Sequence, residues 1–209
     1  IIDEIESLQH KNKVLWTVYG LGLQAMAEGL VFPDFEIVDE FPTYAKHVGA
    51  GLDFGYSADP TAVVRCGIVD DCMYLDELCY QTHMLTSEII DVLKPLGLIV
   101  YADSADPRLI QEISNAGIVI YPADKYKGSV MGGLFKMMEY RLCVTKRSVN
   151  LIKELKNYVY EQNKDGKFIN APIDAYNHLI DAARYWTIGK IMGKILLSKQ
   201  YDKDDLGLY

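Results

Sequence analysis

The sequence predicts an α/β domain in which helices flank a mixed sheet of three antiparallel strands followed by parallel strands. Two β-rich runs, TAVVRCGIVDD and MYLDELCYQT, meet at the turn dipeptide Asp70-Asp71 and predict a hairpin. Two continuous apolar runs, LIVYAD and IVIYPAD, are typical of strands that a parallel sheet buries on both faces. Helical stretches separate these runs, as the crossovers between parallel strands require.

The elements follow in order from His47. HVGAGLDFG predicts the first strand, and the hairpin supplies the next two. The first helix, TSEIIDVLKPLG, has Thr86 or Ser87 as its N-cap, and the second, DPRLIQEISNAG, opens at Asp106. The remaining elements are a helix in GSVMGGLFKMMEYR, a strand in LCVT, a helix in SVNLIKELKNYVYEQN behind a Ser148 cap, a hairpin at KDGKFI and a long final helix in IDAYNHLIDAARYWTIGKIMGKILL.

Three regions differ in composition. Residues 1–46 contain glycines and prolines around short apolar stretches and predict a connector with a short strand or two. Residues 47–192 hold the predicted domain. Residues 193–209 form a mainly polar tail that we expect to be mobile. Because the chain begins without Met, it is expected to be part of a longer protein.

Composition excludes several classes of protein. Half of the 209 residues are hydrophobic, so the chain can bury a core. No run approaches the roughly 18 apolar residues of a membrane span, and the acidic N-terminus does not resemble an export signal. The cysteines at 66, 72, 79 and 143 lack the spacing of a zinc site and are interpreted as reduced thiols of an intracellular protein.

Charge is unevenly distributed along the chain. Residues 125–156 contain 8 Lys and Arg against 2 Glu, a balance of +6, within a chain whose net charge is −8. The rest of the chain therefore carries −14, from 13 basic and 27 acidic residues. A basic segment of this kind favours contact with nucleic-acid phosphates, although a solvated helix face is the plain alternative.

Three aspartates stand where a packed fold would not otherwise hold charge. Asp53 ends the first buried strand, Asp103 ends the first parallel strand, and Asp181 lies in the final helix. Strand ends of an α/β sheet are where ligand sites form, and clustered carboxylates stay ionised when cations neutralise them. Hard oxygen donors favour Mg²⁺ or Mn²⁺, and two such ions can cleave a phosphodiester. Each acid alone also fits a turn or a cap, and Asp174 fits an N-cap better than a ligand.

Six blocks in order carry a resemblance to a known family. GLDFGYSADPTAV, YLDELCY, IVYADSADP, ADKYKGSV, SVNLIKELKNYVY and NHLIDAARY together resemble the C-terminal nuclease domain of phage terminase large subunits. The resemblance covers residues 47 to about 188, and YGLG…EGLVFPDFEIVDEFP resembles the junction that follows the packaging ATPase of that family.

The resemblance implies a ribonuclease H-like fold and an endonuclease that cuts double-stranded viral DNA concatemers with two Mg²⁺ or Mn²⁺ ions. It implies that Asp53, Asp103 and Asp181 are the catalytic, metal-binding acids, with Asp59 and His178 as auxiliary residues. The basic segment supplies the candidate DNA contacts, which are Lys125, Lys127, Arg141, Lys146 and Arg147. In the full-length protein the implied partners are the portal and the small terminase subunit, in the host cell cytoplasm and without a membrane.

Other classes of function remain open at this point. DFGYSADPTAV also resembles the first phosphate loop of actin-like and sugar-kinase ATPases, but those proteins need a second lobe. A resolvase or transposase would share the acidic site, and a binding module with unused acids is a further alternative. No GxxxxGK(S/T) motif occurs, so ATP hydrolysis by a phosphate loop is not expected. Since clustered carboxylates repel, replacing any of the three aspartates by Asn is expected to leave the fold intact or slightly stabilised.

Overall fold

The computed structural model describes residues 29–193, which contain nine strands and five α-helices. The strands are β1 (Glu36–Val38), β2 (Lys46–Asp53), β3 (Thr61–Val69), β4 (Cys72–Gln81), β5 (Val100–Ala102), β6 (Ile120–Pro122), β7 (Arg141–Thr145), β8 (Tyr160–Gln162) and β9 (Phe168–Pro172). The helices are α1 (Thr86–Leu93), α2 (Pro107–Asn115), α3 (Ser129–Met138), α4 (Val149–Asn157) and α5 (His178–Trp186). A 3-10 turn (Lys94–Leu96) follows α1, and a π-helical turn (Thr187–Ile191) follows α5.

Seven strands form one sheet in the order β1-β7-β4-β3-β2-β5-β6, while β8 and β9 form a separate antiparallel hairpin. β3 is antiparallel to both of its neighbours, and every other neighbouring pair in the sheet is parallel. All strands of this sheet except β3 therefore end at the same edge, here called the carboxyl edge. The predicted mixed sheet, with an antiparallel meander of β2, β3 and β4 followed by parallel strands, is confirmed.

Helices cover both faces of this sheet. Along β3, Ala62 and Val64 pack in the core that includes residues of α3, α4 and α5, whereas Val63 packs with residues of α1 and α2 on the other face. This alternation is the two-residue period of a strand buried on both sides. Within residues 29–193, no helix has the length and apolar character needed to cross a bilayer.

Residues upstream of His47 belong to the same folded unit. Val31 and Phe32 are buried in the core that α5 covers, and β1 extends the sheet beside β7. The predicted boundary after residue 46 therefore separates residues that pack together, because a three-residue strand acquires its place only through pairing with a distant one. The stretches 1–28 and 194–209, which include most of the predicted junction and tail, lie outside the described residues.

The final helix begins later than the sequence predicts. Ile173 still donates a backbone hydrogen bond to Val159 beside the hairpin, and Tyr176 takes a left-handed φ of 56°. α5 therefore starts at His178 with Asn177 as its N-cap, and Asp174 lies outside the helix instead of capping it. Residues up to Ile173 cannot be helical because they remain engaged with the β8–β9 hairpin.

One further predicted cap is wrong, and another lies at the predicted residue but makes no side-chain capping bond. α1 is preceded by Leu85, whose backbone N–H donates to Glu88 Oε2 at 2.7 Å, so neither Thr86 nor Ser87 caps it. Ser148 is the N-cap residue of α4, as predicted, but its hydroxyl accepts a hydrogen bond from the backbone N–H of Glu77 at 2.8 Å and makes no capping bond. At α4, Glu77 of β4 accepts hydrogen bonds from the N–H groups of Asn150 and Leu151, which a capping side chain would otherwise serve.

The strand from IVIYPAD is only partly buried. β6 is the last strand of the sheet, and Tyr121 within it is 39% exposed. An apolar run predicts a buried strand equally well in the centre or at the edge of a sheet, since strand order depends on long-range pairing. The prediction of full burial is therefore wrong for this strand.

Candidate metal centre

Two acidic side chains leave neighbouring strands at the carboxyl edge. Leu52 of β2 pairs with Ala102 of β5, and the N–H of Asp103 donates to the carbonyl of Leu52 at 3.0 Å. Asp53 is the last residue of β2, and Asp103 directly follows β5. The strand geometry thus holds these two aspartates side by side.

Side chains alternate between the two faces of a strand, and this alternation places both aspartates on the face of the sheet that α5 covers. Tyr101 packs in the core beneath α5, so Asp103, two residues on, projects to the same side. On β2 that side is occupied by Gly51, where an added Cβ would lie 1.7 Å from the carbonyl oxygen of Ala182. The backbone of α5 therefore rests directly on β2, which requires glycine at position 51.

This close approach brings the third aspartate to the site. Asp181 lies in the first turn of α5, one residue before the contact with Gly51. Burial raises the pKa of Asp53 to about 6; the hydrogen bond from His178 opposes this rise, and the negative charges of Asp181 and Asp103 add to it. Asp181 and Asp103 are thus both close enough to Asp53 to disfavour its ionisation.

Each of these acids has a basic partner. His178 Nδ1 lies 3.2 Å from Asp53 Oδ2, and its Nε2 lies 3.6 Å from Asp59 Oδ1, so the His178 ring contacts Asp53 on one side and Asp59 on the other. The hydrogen bond to Asp53 is the main cause of a raised pKa at His178, ahead of the opposing effect of burial. Asp103 forms an ion pair with Lys125.

The partner of Asp181 is buried. Arg184 Nε donates to Asp181 Oδ1 at 3.0 Å, and the side chain of Arg184 is 3% exposed. Its guanidinium also stacks on the ring of Tyr185, 4.6 Å from the ring centroid. This pairing fixes the rotamer of Asp181 from within the core.

The donor chemistry of this cluster fits a hard divalent cation. Carboxylate oxygens on two strand ends and one helix are the ligands that Mg²⁺ and Mn²⁺ prefer. Across residues 29–193, no three His, Cys, Asp or Glu side chains lie close enough together to hold an ion in their present positions. The physical reason is that each carboxylate turns to its own basic partner, as mutual repulsion favours.

The five basic residues predicted to contact DNA fall at different places. Lys125 and Lys127 follow β6, and Lys146 and Arg147 follow β7, so these four are at the carboxyl edge. Arg141 is the first residue of β7 and therefore lies at the opposite edge, where its guanidinium donates to Cys72 Sγ at 3.0 Å.

Three of the four residues at the carboxyl edge hold acidic partners, and only the partner of Lys125, Asp103, belongs to the predicted cluster. Lys146 pairs with Asp39 at 2.9 Å on the surface. Arg147 Nε donates at 2.7 Å to Oδ1 of the buried Asp76, which also accepts a hydrogen bond from Thr145 at 2.7 Å. Arg147 is thus part of a structural network, which leaves Lys125, beside Asp103, and Lys127, two residues further along the chain, as candidates for DNA contact.

A cavity of about 400 Å³ adjoins the acidic cluster. It lies between the start of α3, the β9 strand and the start of α5, and Asp181 contributes to its wall. Tyr126, Tyr158 and Asn177 are among the other lining residues. Of the three predicted acids, Asp181 therefore borders open space that a substrate can enter.

Sequence reasoning missed Glu154 and Arg184. Glu154 is 2% exposed, and its Oε2 accepts backbone hydrogen bonds from Leu179 at 2.9 Å and Ile180 at 3.1 Å. The position of Glu154 in the sequence could have indicated its burial, because it falls on the same helical face as Leu151, Leu155 and Tyr158. Arg184 likewise lies one helical turn after Asp181 among apolar residues.

Comparison with known proteins gives consistent matches. The large terminase subunit of Bacillus phage SPP1 is 31% identical over 199 residues, which is 88% of this chain and 47% of that protein. The PBSX phage terminase large subunit of Bacillus subtilis (strain 168) is 25% identical over 198 residues, or 88% of this chain and 46% of that protein. The chain thus spans about half the length of these curated relatives.

Solved structures share the fold. The nuclease domain of the SPP1 large terminase, crystallised with bound Mn, has a TM-score of 0.68 and 28% identity, covering 76% of this chain and 97% of that domain. The large terminase of the thermophilic bacteriophage D6E with ADP has a TM-score of 0.71 and 19% identity over 90% of this chain and 51% of that one. The large terminase nuclease of phage G20c with bound magnesium has a TM-score of 0.58 and 16% identity over 77% of this chain and 98% of that one.

The family assignment rests on the sequence match. The Terminase RNAseH like domain family matches residues 53–187, which is more than half of the chain and includes all three aspartates. The alternatives of an ATPase lobe, a resolvase and a transposase lose their support against this match. The chain therefore belongs to the terminase large-subunit family and contains its ribonuclease H-like nuclease domain.

Proposed function

We propose that this chain is a metal-dependent endonuclease that cuts double-stranded viral DNA concatemers during genome packaging. The observation that carries the proposal is the convergence of Asp53, Asp103 and Asp181 from two adjacent strand ends and one helix beside an open cavity. The SPP1 nuclease domain crystallised with Mn supports the choice of a divalent ion.

In this proposal the three aspartates hold the catalytic ions. Two Mg²⁺ or Mn²⁺ ions would supply an activated water and stabilise the leaving oxygen of the phosphodiester. His178 orients the carboxylate of Asp53 and lies next to Asp59, so it controls the direction in which Asp53 presents its oxygens. Asp59 is 69% exposed, which leaves it free to approach from the rim.

The basic residues position the substrate. Lys125 is 43% exposed and pairs with Asp103, so its ammonium group lies where a backbone phosphate would approach the acids. Together with Lys127 it provides sequence-independent contacts to phosphate groups. Arg184 stays buried and holds Asp181 in place.

The wider setting is also part of the proposal. The part of the chain before residue 29 would connect to an N-terminal packaging ATPase, and the full-length protein would act with the portal and the small terminase subunit in the host cell cytoplasm. The curated relatives, which are about twice as long as this chain, support a further domain. ATP hydrolysis by a phosphate loop is not expected of these residues, because the sequence lacks that motif.

A plasmid-nicking assay tests the proposal. The protein is incubated with supercoiled plasmid in Mg²⁺, in Mn²⁺ and in EDTA, and we expect cleavage in either metal and none in EDTA. Asp53→Asn, Asp103→Asn and Asp181→Asn should each abolish cleavage. The matched control is Asp70→Asn in the β3–β4 turn, which removes the same charge at the far end of the strands and keeps a residue suited to the φ of 50° there.

Two results would contradict the proposal. Nicking that persists in EDTA would exclude a metal mechanism. Wild-type cleavage by Asp181→Asn would mean that α5 does not supply the third ligand.

A further inference from the structure

The N-cap residue of α5, the helix that carries Asp181, makes no side-chain capping bond. The first hydrogen bond within α5 runs from the N–H of Asp181 to the carbonyl of Asn177, so the N–H groups before it need partners from outside the helix. Asn177 makes no capping bond with its side chain, which instead donates to Asp174 at 3.2 Å.

Glu154 of α4 supplies the missing partners. Its Oε2 accepts hydrogen bonds from the N–H groups of Leu179 and Ile180, at 2.9 Å and 3.1 Å. The side chain is buried, and its Oε1 makes no hydrogen bond of ordinary geometry to any described residue. A carboxylate at a helix N-terminus is also favoured by the helix dipole.

The hydrogen bonds to Glu154 set the position of His178 and Asp181 relative to Asp53. His178 and Asp181 lie in the same helical turn as the two N–H groups that Glu154 holds. A displacement of this turn moves both side chains relative to Asp53, and functional groups must be held to within about 0.5 Å. Gly51 fixes the height of α5 over the sheet, and Glu154 fixes the end nearest the acids.

We infer that Glu154 is a positioning residue of the metal centre, which holds the first turn of α5 so that His178 and Asp181 face Asp53. The inference rests on the proposed function only in calling the site a metal centre. It predicts that the reach of the Glu154 side chain matters more than its charge.

The chain contains a matched control for this role. Glu77 of β4 caps α4 in the same way, accepting hydrogen bonds at Oε2 from the N–H groups of Asn150 at 2.9 Å and Leu151 at 3.1 Å. Both acids thus serve the second and third residues of a helix from outside it. The hydrogen bonds of Glu77 go to Ser148, Asn150 and Leu151 and not to the turn that carries His178 and Asp181, so its loss should lower stability without changing the acids.

The test separates reach from charge. Glu154→Asp keeps the charge and shortens the side chain by one methylene, whereas Glu154→Gln keeps the length and an acceptor oxygen but removes the charge. Glu77→Asp is the control. For each variant of the 209-residue chain, three quantities are measured: the Mn²⁺ dissociation constant by calorimetry, the His178 ring resonances by NMR without metal, and hydrogen exchange of the Leu179 and Ile180 amides.

We expect Glu154→Asp to weaken Mn²⁺ binding by about 10–100-fold, the usual effect of losing a group that orients a ligand. The same variant should shift the His178 resonances and speed exchange of both amides. Glu154→Gln should restore the wild-type resonances and bring Mn²⁺ affinity back to within about threefold, since it still reaches the N–H groups. Glu77→Asp should lower the melting temperature and leave the other measurements unchanged.

The outcomes discriminate between roles. If Glu154→Asp leaves the His178 resonances and Mn²⁺ affinity at wild-type values, Glu154 is only a structural cap and the inference is overturned. If Glu154→Gln fails as Glu154→Asp does, the charge is needed as well as the reach, which overturns the inference that reach matters more than charge. If the wild-type protein binds no Mn²⁺, the proposed function fails, and the His178 resonances and amide exchange still decide the role of Glu154.

Discussion

Replacing Asp181 by Asn should destabilise the metal-free protein, although mutual repulsion among the acids predicts the opposite. Arg184, the partner of Asp181, is 3% exposed and bonds to it at 3.0 Å. Removing one partner of a buried ion pair costs roughly 3–5 kcal/mol, because the other charge is left without compensation. Asp181 is 18% exposed and Arg184 keeps its contact with Tyr185, so we expect the lower end, about 3 kcal/mol.

Asp103→Asn provides the comparison. Its partner Lys125 is 43% exposed, and pairs of this kind contribute about 0–1 kcal/mol. At roughly 2–4 °C per kcal/mol for a chain of this size, Asp181→Asn should lower the melting temperature by about 6–12 °C and Asp103→Asn by at most about 4 °C. Both melts are followed by circular dichroism in EDTA.

A double substitution checks the cause. Asp181→Asn with Arg184→Met removes both charges, so it should be more stable than Asp181→Asn alone. Equal or higher stability of Asp181→Asn relative to wild type would refute the reasoning. It would mean that relief of repulsion among the acids outweighs the loss of the Arg184 partner.

Three further predictions follow from the same structure. Burial raises the pKa of Glu154 from 4.5 to about 7, so ionisation of Glu154 lowers the free energy of unfolding as pH rises through this window. Between pH 5 and pH 8, Glu154→Gln should therefore gain stability relative to wild type, by at most about 3 kcal/mol in urea melts. A stability difference that stays constant with pH would contradict this. The double variant Lys125→Gln with Lys127→Gln should reduce the slope of log affinity against log salt for duplex DNA by up to about 2. Arg141→Gln, at the opposite edge of the sheet, should leave this slope unchanged. If Arg141→Gln has an equal effect, the DNA does not bind at the carboxyl edge. Gly51→Ala should destabilise the fold by about 1–3 kcal/mol or more and abolish cleavage, because the added methyl group overlaps the backbone of α5. A wild-type melting temperature would mean that α5 can move away from β2 without loss of stability.

Local patterns were sufficient for much of the fold. The turn at Asp70, the helix opened by Asp106 and the apolar runs of β5 and β6 all appear where the sequence predicts them. These features depend on residues close together in the chain, whose backbone preferences and caps act within a few positions. The same patterns identified Asp53 and Asp103 as strand-end acids at one edge of the sheet.

The sequence by itself determined the class of fold, the order of its elements and three acids suited to bind divalent ions. Only the tertiary structure decided that Glu154 caps α5, that Arg184 is the buried partner of Asp181, and that Arg141 lies at the edge opposite the acids. It also decided that β6 is an edge strand. The physical reason is the distance along the chain between the residues involved. Burial, strand order and the partners of charged groups depend on contacts between residues far apart in sequence, which local propensity and spacing do not encode.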